Sequence, residues 1–249
     1  MLADVDIGSY RVRVAGSYMY YRVAGAGPPL VLIHGFSASS VWWRRNMGGL
    51  AVRHRVYALD LVGFGRSWPK HHFSLDYAVD AIVAWMRTID LERADVCGHS
   101  MGGHLAIHLT ALYPELVRRL VLADASGLPL GDGLLPLAVR GLRSNAAYGF
   151  GLAPTVVGTA LQAGPLVLWG ALRGLLADDV NGVLARIAAP TLVIWGELDI
   201  LVPLASGRML QEAIPGARLA VISQAGHNAM YERPDIFNRL VLEFLDEGG

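Results

Sequence analysis

Short apolar runs rich in β-branched residues alternate along the chain with segments of helical periodicity, and this alternation restricts the fold more than any other feature. Because strands separated by helices pair in parallel through right-handed crossovers, the sequence predicts an α/β protein with a doubly wound, mostly parallel sheet. We predict a hairpin over 10–23, then strands over 29–34, 55–59, 95–97, 117–123, 191–195 and 218–222. Helices are predicted over 76–89, 101–113, 205–214 and 235–247.

The alternation stops after the sixth predicted strand, where residues 128–189 are rich in Leu, Gly and Ala and are punctuated by prolines. We predict that this segment forms a short helical cap over the sheet, and that 1–127 and 190–249 build the core of a single domain. Between Arg143 and Arg173 no residue is charged, and the stretch is long enough to cross a bilayer. Prolines and glycines interrupt it, so we expect a buried or lid-like segment and no stable membrane insertion.

The composition indicates a globular protein without strong charge. Hydrophobic residues make up 53% of the 249 residues, charged residues 17%, and the formal net charge is zero. These values argue against intrinsic disorder and give no reason to expect nucleic acid as a partner. The N-terminal residues lack the basic start and apolar run of a signal peptide, so we expect a cytoplasmic location. Cys97 is the only cysteine, so no disulfide can form within the chain.

The sequence GHSMG at 98–102 matches the pattern G-x-S-x-G and falls between a predicted strand and a predicted helix. A strand-to-helix turn this tight forces Ser100 into a strained backbone conformation, and the glycines two residues away on each side let the turn close. The Ser100 hydroxyl then lies at the carboxyl end of the sheet, beside the N–H groups of the first helical turn. We therefore predict that Ser100 is a nucleophile.

A serine nucleophile needs a base that takes its proton and an acid that orients the base. His227 follows the last predicted strand and Asp199 follows the strand before it. Both are therefore expected at the edge of the sheet that presents Ser100. Asp124, directly after the sixth predicted strand, and Glu197 are alternatives for the acid.

With these residues in this order, the chain resembles the esterase and lipase branch of the α/β-hydrolase superfamily. The resemblance implies that Ser100 is the nucleophile, that His227 is the general base and acid, and that Asp199 is the orienting carboxylate, with no cofactor. It also implies an oxyanion hole formed by the backbone N–H groups of Phe36 and Met101. The matching pieces are HGF at 34–36, Asp60 with GFGRS at 63–67, GHSMGG at 98–103, PTLVIWG at 190–196 with Asp199 and Pro203, and GH at 226–227.

The predicted cap is the main indication of the substrate. Its uncharged middle would present apolar surface above the site, and such surface binds acyl or aryl groups by burial. We expect a serine carboxylester hydrolase that favours uncharged esters of short to medium acyl chains. If a homodimer forms, we expect it to form through the apolar cap. The residues predicted to contact substrate are His34, Phe36, Met101, Tyr148, Phe150 and Trp169.

The same three side chains serve other reactions, so alternatives stay open. One is a carbon–carbon bond hydrolase of the meta-cleavage type, which usually needs cationic groups to hold a substrate carboxylate; Arg140, Arg143 and Arg173 are the candidates near the cap. Perhydrolases and non-haem haloperoxidases use the same triad. A binding protein built on a hydrolase scaffold is a further alternative, from a different functional class.

His104 and His108 are four residues apart on the helix predicted after Ser100, a spacing that zinc sites use. The glutamate of H-E-x-x-H is missing, and no third ligand is evident from the sequence. We therefore expect a packing or hydrogen-bonding role for both imidazoles, and no metal.

Overall fold

The computed structural model describes residues 6–14, 16–68, 73–128 and 153–247. Within these ranges eight strands form one sheet: β1 (Ile7–Val14), β2 (Ser17–Ala24), β3 (Pro29–Ile33), β4 (Arg55–Leu59), β5 (Ala94–His99), β6 (Val117–Ala123), β7 (Thr191–Gly196) and β8 (Arg218–Ile222). Their spatial order is β1-β2-β4-β3-β5-β6-β7-β8. The hairpin β1–β2 and the pair β2–β4 are antiparallel, and every later pair is parallel. The predicted fold class is confirmed.

Helices follow most of the strands, as the crossovers of a parallel sheet require. They are α1 (Met47–Leu50), α2 (Leu75–Thr88), α3 (Met101–Leu112), α4 (Ala153–Ala163), α5 (Pro165–Ala177), α6 (Asn181–Leu184), α7 (Leu204–Ala213), α8 (Ala229–Glu232) and α9 (Pro234–Asp246). The four predicted helices are confirmed to within one residue at each end. The single-turn helices α1, α6 and α8 were not predicted, because four residues are too few to establish a helical period.

The sheet separates two hydrophobic clusters, and alternate residues of each central strand contribute to opposite clusters. In β3, Val31 and Ile33 belong to one cluster, which α2 and α3 cover. Leu30 and Leu32 belong to the other, which α9 covers with Phe237 and other apolar residues. Because both faces are buried, the central strands read as continuous apolar runs in the sequence.

The strand β5 extends further than the predicted 95–97, and the extension bears on the site. Gly98 and His99 pair with Leu122 and Ala123 of β6, so the strand continues to the residue before Ser100. The sheet therefore fixes the backbone on one side of Ser100, and α3 fixes it on the other.

The helices α4, α5 and α6 lie in the chain between β6 and β7, where the cap was predicted. Val167 and Ala171 of α5 are buried in the cluster that α2 and α3 cover. Residues 129–152, which include Tyr148 and Phe150, lie outside the described residues. In the part of the chain that the structure describes, no single helix is long and apolar enough to span a membrane; only α4 and α5 taken together meet those criteria, with a bend of 101° between them.

Candidate active site

The turn between β5 and α3 places Ser100 in a conformation that L-residues rarely adopt. Its φ is 53° and its ψ is −117°, and such a backbone costs about 1–3 kcal/mol that the surrounding structure must offset. A Cβ on Gly98 would collide with the carbonyl oxygen of Gly102, and a Cβ on Gly102 would collide with that of Ile33. The two glycines of the motif are therefore required by close backbone contacts, as the sequence predicts.

Ser100, His227 and Asp199 form a continuous chain of hydrogen bonds. The Ser100 Oγ lies 3.0 Å from His227 Nε2, and His227 Nδ1 lies 2.8 Å from Asp199 Oδ2. Because a carboxylate only accepts, Nδ1 carries the proton and Nε2 is left to accept the serine proton. His227 and Asp199 are both buried. This arrangement can take a proton from the serine hydroxyl as that hydroxyl attacks an electrophile.

The loop after β7 holds the Asp199 carboxylate in place. Its second oxygen, Oδ1, accepts the backbone N–H groups of Leu201 at 2.8 Å and Val202 at 2.9 Å. One oxygen is thus fixed by the backbone, and the other faces the imidazole of His227. The sequence could not show these two backbone donors, since both depend on the path of the loop.

The two alternative acids, Asp124 and Glu197, accept hydrogen bonds from backbone N–H groups. Asp124 accepts the backbone N–H of Gly196 at 2.7 Å and that of Ala229 at 3.3 Å, one on each carboxylate oxygen. Glu197 accepts the backbone N–H of Gln224 at 3.1 Å. The structure therefore brings Asp199 to the Nδ1 atom of the histidine, and it uses the alternatives to hold loops.

Glu232 is a site residue that sequence reasoning missed. Its Oε2 accepts the backbone N–H of Gly226 at 2.8 Å, and its Oε1 accepts that of Asn228 at 3.2 Å. These two N–H groups flank His227, so one half-buried carboxylate fixes the loop on both sides of this histidine. Burial raises the pKa of Glu232. Glu232 lies four residues after Asn228, one more than in a capping box, so no standard helix-start signal in the sequence pointed to it.

His99 packs against the loop that carries His227. Its Nε2–H donates to the backbone carbonyl of His227 at 2.8 Å, and Trp42 and Trp43 pack at ring-centroid distances of 6.5 Å. Burial, with a smaller contribution from the charge of His227, lowers the pKa of His99 to about 3. A neutral ring at this position adds no positive charge next to the base.

The backbone N–H groups of Phe36 and Met101 are available to a substrate oxygen. Met101 is the first residue of α3, and the first four N–H groups of a helix have no partner within it. Neither N–H has a hydrogen-bond acceptor among the residues that the structure describes. Gly35 brings this loop against the turn, since a Cβ there would lie 2.9 Å from His99 Nδ1 and 3.1 Å from Ser100 Cβ.

His34 and Met101 differ from the predicted contact with substrate. The His34 ring is fully buried, its Nδ1 lies 2.8 Å from the carbonyl oxygen of Gly35, and its Nε2 accepts the N–H of Leu61 at 3.1 Å. Both ring nitrogens therefore hold the loop in shape. The Met101 side chain is buried in the core, which leaves only its backbone N–H for the site.

The other predicted contact residues have different placements. The Phe36 side chain is 37% exposed, so it is accessible next to the candidate oxyanion N–H. Trp169 lies on α5 with its side chain 59% exposed. The structure does not describe the placement of Tyr148 and Phe150.

Comparison with known proteins agrees with this fold. Residues 28–140 and 159–234 match the model of a family described as the alpha/beta hydrolase fold. The chain belongs to this family. A 2-hydroxymuconate semialdehyde hydrolase from Pseudomonas sp. (strain CF600) is 32% identical over 90% of this chain and 89% of its own length.

Two solved structures extend the comparison across almost the whole chain. A bacterial membrane phospholipase A superposes with a TM-score of 0.85 at 26% identity, over 98% of this chain and 87% of its own. A meta-cleavage product hydrolase from Pseudomonas fluorescens IP01 superposes with a TM-score of 0.78 at 30% identity, over 98% and 99%. The chain is therefore a member of a hydrolase family whose similar members differ in the bond they cleave.

Proposed function

We propose that this hydrolase is a serine carboxylester hydrolase that cleaves uncharged esters of short to medium acyl chains. The observation that carries the proposal is the chain of contacts from Ser100 through His227 to Asp199, with distances of 3.0 Å and 2.8 Å. A serine hydroxyl hydrogen-bonded to an oriented imidazole is the arrangement that two-step acyl transfer requires.

In the proposed mechanism, Ser100 Oγ attacks the ester carbonyl carbon and its proton passes to His227 Nε2. The carbonyl oxygen becomes an oxyanion that accepts the backbone N–H groups of Phe36 and Met101, and each such donor contributes roughly 3–4 kcal/mol of transition-state stabilisation. Collapse of this intermediate breaks the C–O bond, and the leaving alkoxide takes the proton from Nε2. Water then attacks the acyl-enzyme, gives a proton to the same nitrogen and releases the acid and Ser100.

The described part of the cap supports an uncharged substrate. Its exposed apolar side chains include Leu161, Leu166 and Trp169. Within residues 153–189, the described part of the cap, the only arginines are Arg173 and Arg186, and both are exposed at the surface. The described cap therefore contains no buried cation that could hold a substrate carboxylate. One similar structure is that of a membrane phospholipase A.

A carbon–carbon bond hydrolase of the meta-cleavage type is the second candidate. It is favoured by the 32% identity to the 2-hydroxymuconate semialdehyde hydrolase and by the likeness to the meta-cleavage product hydrolase. The same serine, histidine and aspartate would act in that reaction. The substrate would differ, because it is a dienoic keto acid that carries a free carboxylate.

The deciding experiment compares p-nitrophenyl esters from acetate to palmitate with a vinylogous diketone acid of the meta-cleavage type. We expect the highest kcat/KM for the short and medium esters, and loss of turnover in Ser100→Ala. Rapid cleavage of the diketone acid with negligible ester turnover would favour the second candidate. Ester turnover that survives in Ser100→Ala would contradict both, since both need this hydroxyl.

A further inference from the structure

Two histidines and an aspartate meet at a point where the cap touches the core. His104 and His108 lie one turn apart on α3, and their rings stack at a centroid distance of 5.2 Å. Asp178 is the residue directly after α5. Its Oδ2 lies 2.5 Å from His104 Nε2 and 2.6 Å from His108 Nε2. The third ligand, which was not evident from the sequence, is therefore a carboxylate just beyond α5, seventy positions after His108.

The three side chains offer a ligand set that suits a divalent cation of intermediate softness. Two imidazole nitrogens and one carboxylate oxygen lie within 4.8 Å of one another. Histidine nitrogen and aspartate oxygen are common zinc ligands, and two histidines four residues apart on a helix present their nitrogens to the same point. No fourth protein ligand is needed, because water can complete the coordination of such a cation.

The cluster is partly buried, so one ligand is held in a fixed position while the other two remain accessible to a cation from solvent. The His104 side chain is completely buried, and the side chains of His108 and Asp178 are 17% and 38% exposed. The buried ring has a fixed position, and the carboxylate has solvent beside it. Asp178 can therefore move the short distance that separates a hydrogen bond from metal coordination without disturbing the core.

We propose that His104, His108 and Asp178 form a binding site for a divalent cation such as Zn²⁺, which holds the cap to the helix that follows Ser100. The two sides of the site belong to different parts of the fold: α3 directly follows the candidate nucleophile, and α5 belongs to the cap. A cation bound to both would restrain their relative position. The site goes beyond the proposed ester hydrolysis and takes no part in its chemistry, so each can fail without the other.

The test titrates Zn²⁺ and Co²⁺ into the full chain after treatment with a chelator, prepared without a polyhistidine tag. Isothermal calorimetry gives the stoichiometry and affinity, Co²⁺ absorption in the visible reports the ligand geometry, and thermal unfolding gives the change in Tm. We expect one equivalent to bind and saturating Zn²⁺ to raise Tm by roughly 5–10 °C, as binding to the folded state alone requires.

Matched variants separate the proposed site from adventitious binding. Asp178→Asn keeps the shape of the side chain, and His108→Gln changes a partly exposed one; each is expected to weaken Zn²⁺ binding by at least about tenfold. Asp179→Asn makes the same change in charge at the neighbouring exposed residue and is expected to bind as the unaltered protein does. Asp178→Asn also loses hydrogen bonds without metal, so the deciding quantity is the Zn²⁺-dependent rise in Tm for each variant.

Two results would overturn the proposal. One is the absence of saturable binding by the unaltered protein at micromolar Zn²⁺. The other is equal affinity in the unaltered protein, Asp178→Asn and His108→Gln, which would place the cation on other side chains. Circular dichroism shows which variants are folded, and a variant that binds no Zn²⁺ while folded supports the site.

Discussion

The ends of β6 and β7 are adjacent at the same edge of the sheet, and each is followed by an aspartate with a different task. Asp124 comes directly after β6 with a φ of 45°, and both of its oxygens accept backbone N–H groups. Asp199 comes three residues after β7; one of its oxygens accepts backbone N–H groups and the other faces His227. An aspartate can orient a catalytic base only if the loop leaves one of its oxygens for the imidazole.

The two carboxylates also affect each other. Burial, and then the charge of Asp199, raise the pKa of Asp124 well above its ordinary value. Two buried carboxylates close together cannot both ionise without cost. Asp124, the side chain that holds loops, is thus the one of the two whose ionisation is suppressed.

The largest expected effect comes from Asp199→Asn. The amide removes the charge and can favour the wrong histidine tautomer, so kcat should fall by about ten-thousandfold, or roughly 5 kcal/mol in the activation barrier. Steady-state turnover of the best p-nitrophenyl ester measures it, with Tm as a control for folding. Retention of a tenth or more of the activity would break the assignment of Asp199 as the acid.

Asp124→Asn should have the opposite profile, with a loss of stability and little loss of turnover. Asparagine has one acceptor oxygen for two backbone N–H groups, and a buried N–H without a partner costs about 1–3 kcal/mol. Urea unfolding measures this loss, and kcat should stay within tenfold of the unaltered value. If the variant were stable but as inactive as Asp199→Asn, the roles of the two strand ends would have to be exchanged.

Glu232→Gln tests whether the loop that carries the base is held by its carboxylate. The substitution leaves one of the N–H groups beside His227 poorly paired, so we expect kcat to fall by about tenfold, or roughly 1.4 kcal/mol, with KM unchanged. Glu197→Gln is the matched control, because Glu197 is exposed and, among the residues that the structure describes, accepts only the backbone N–H of Gln224. Equal effects in both variants would mean that Glu232 has no special part in positioning the histidine.

The sequence was sufficient for the sheet, for Ser100 and for His227, whereas it left Asp124 and Glu197 open beside Asp199 as the acid until the family resemblance was added. Ser100, Asp124, Asp199 and His227 each follow a predicted strand, and parallel strands bring their carboxyl ends to one edge, so local patterns bring these residues together but do not choose between the two aspartates. Glu232 and Asp178 were missed because their partners are set by how loops and helices pack. The burial of His34 was missed for the same reason, since its ring nitrogens are satisfied by backbone groups of two loops.

The shifted pKa values of the buried groups at this edge make the stability of the fold depend on pH. The folded His99 ring stays neutral down to a pKa of about 3, whereas the unfolded ring takes up a proton near its ordinary value of 6.5. Its contribution to stability is therefore present above pH 6.5 and is lost as the pH falls toward 3, with a slope of up to about 1.4 kcal/mol per pH unit. Asp124 has the opposite sign, because its raised pKa favours the folded state at low pH and that gain is lost as the pH rises.

Urea unfolding between pH 7 and pH 4 separates the two contributions. His99→Asn should make stability depend less steeply on pH, by about 1 kcal/mol per pH unit. Asp124→Asn should make stability depend more steeply on pH, since the substitution removes the carboxyl group whose raised pKa favours the folded state at low pH. Other buried histidines, His34, His54 and His104, also have lowered pKa values and keep part of the slope in both variants. The two substitutions are expected to change the slope in opposite directions. A change of the same sign in both would contradict the opposite contributions assigned to the neutral His99 ring and to the Asp124 carboxyl group with its raised pKa.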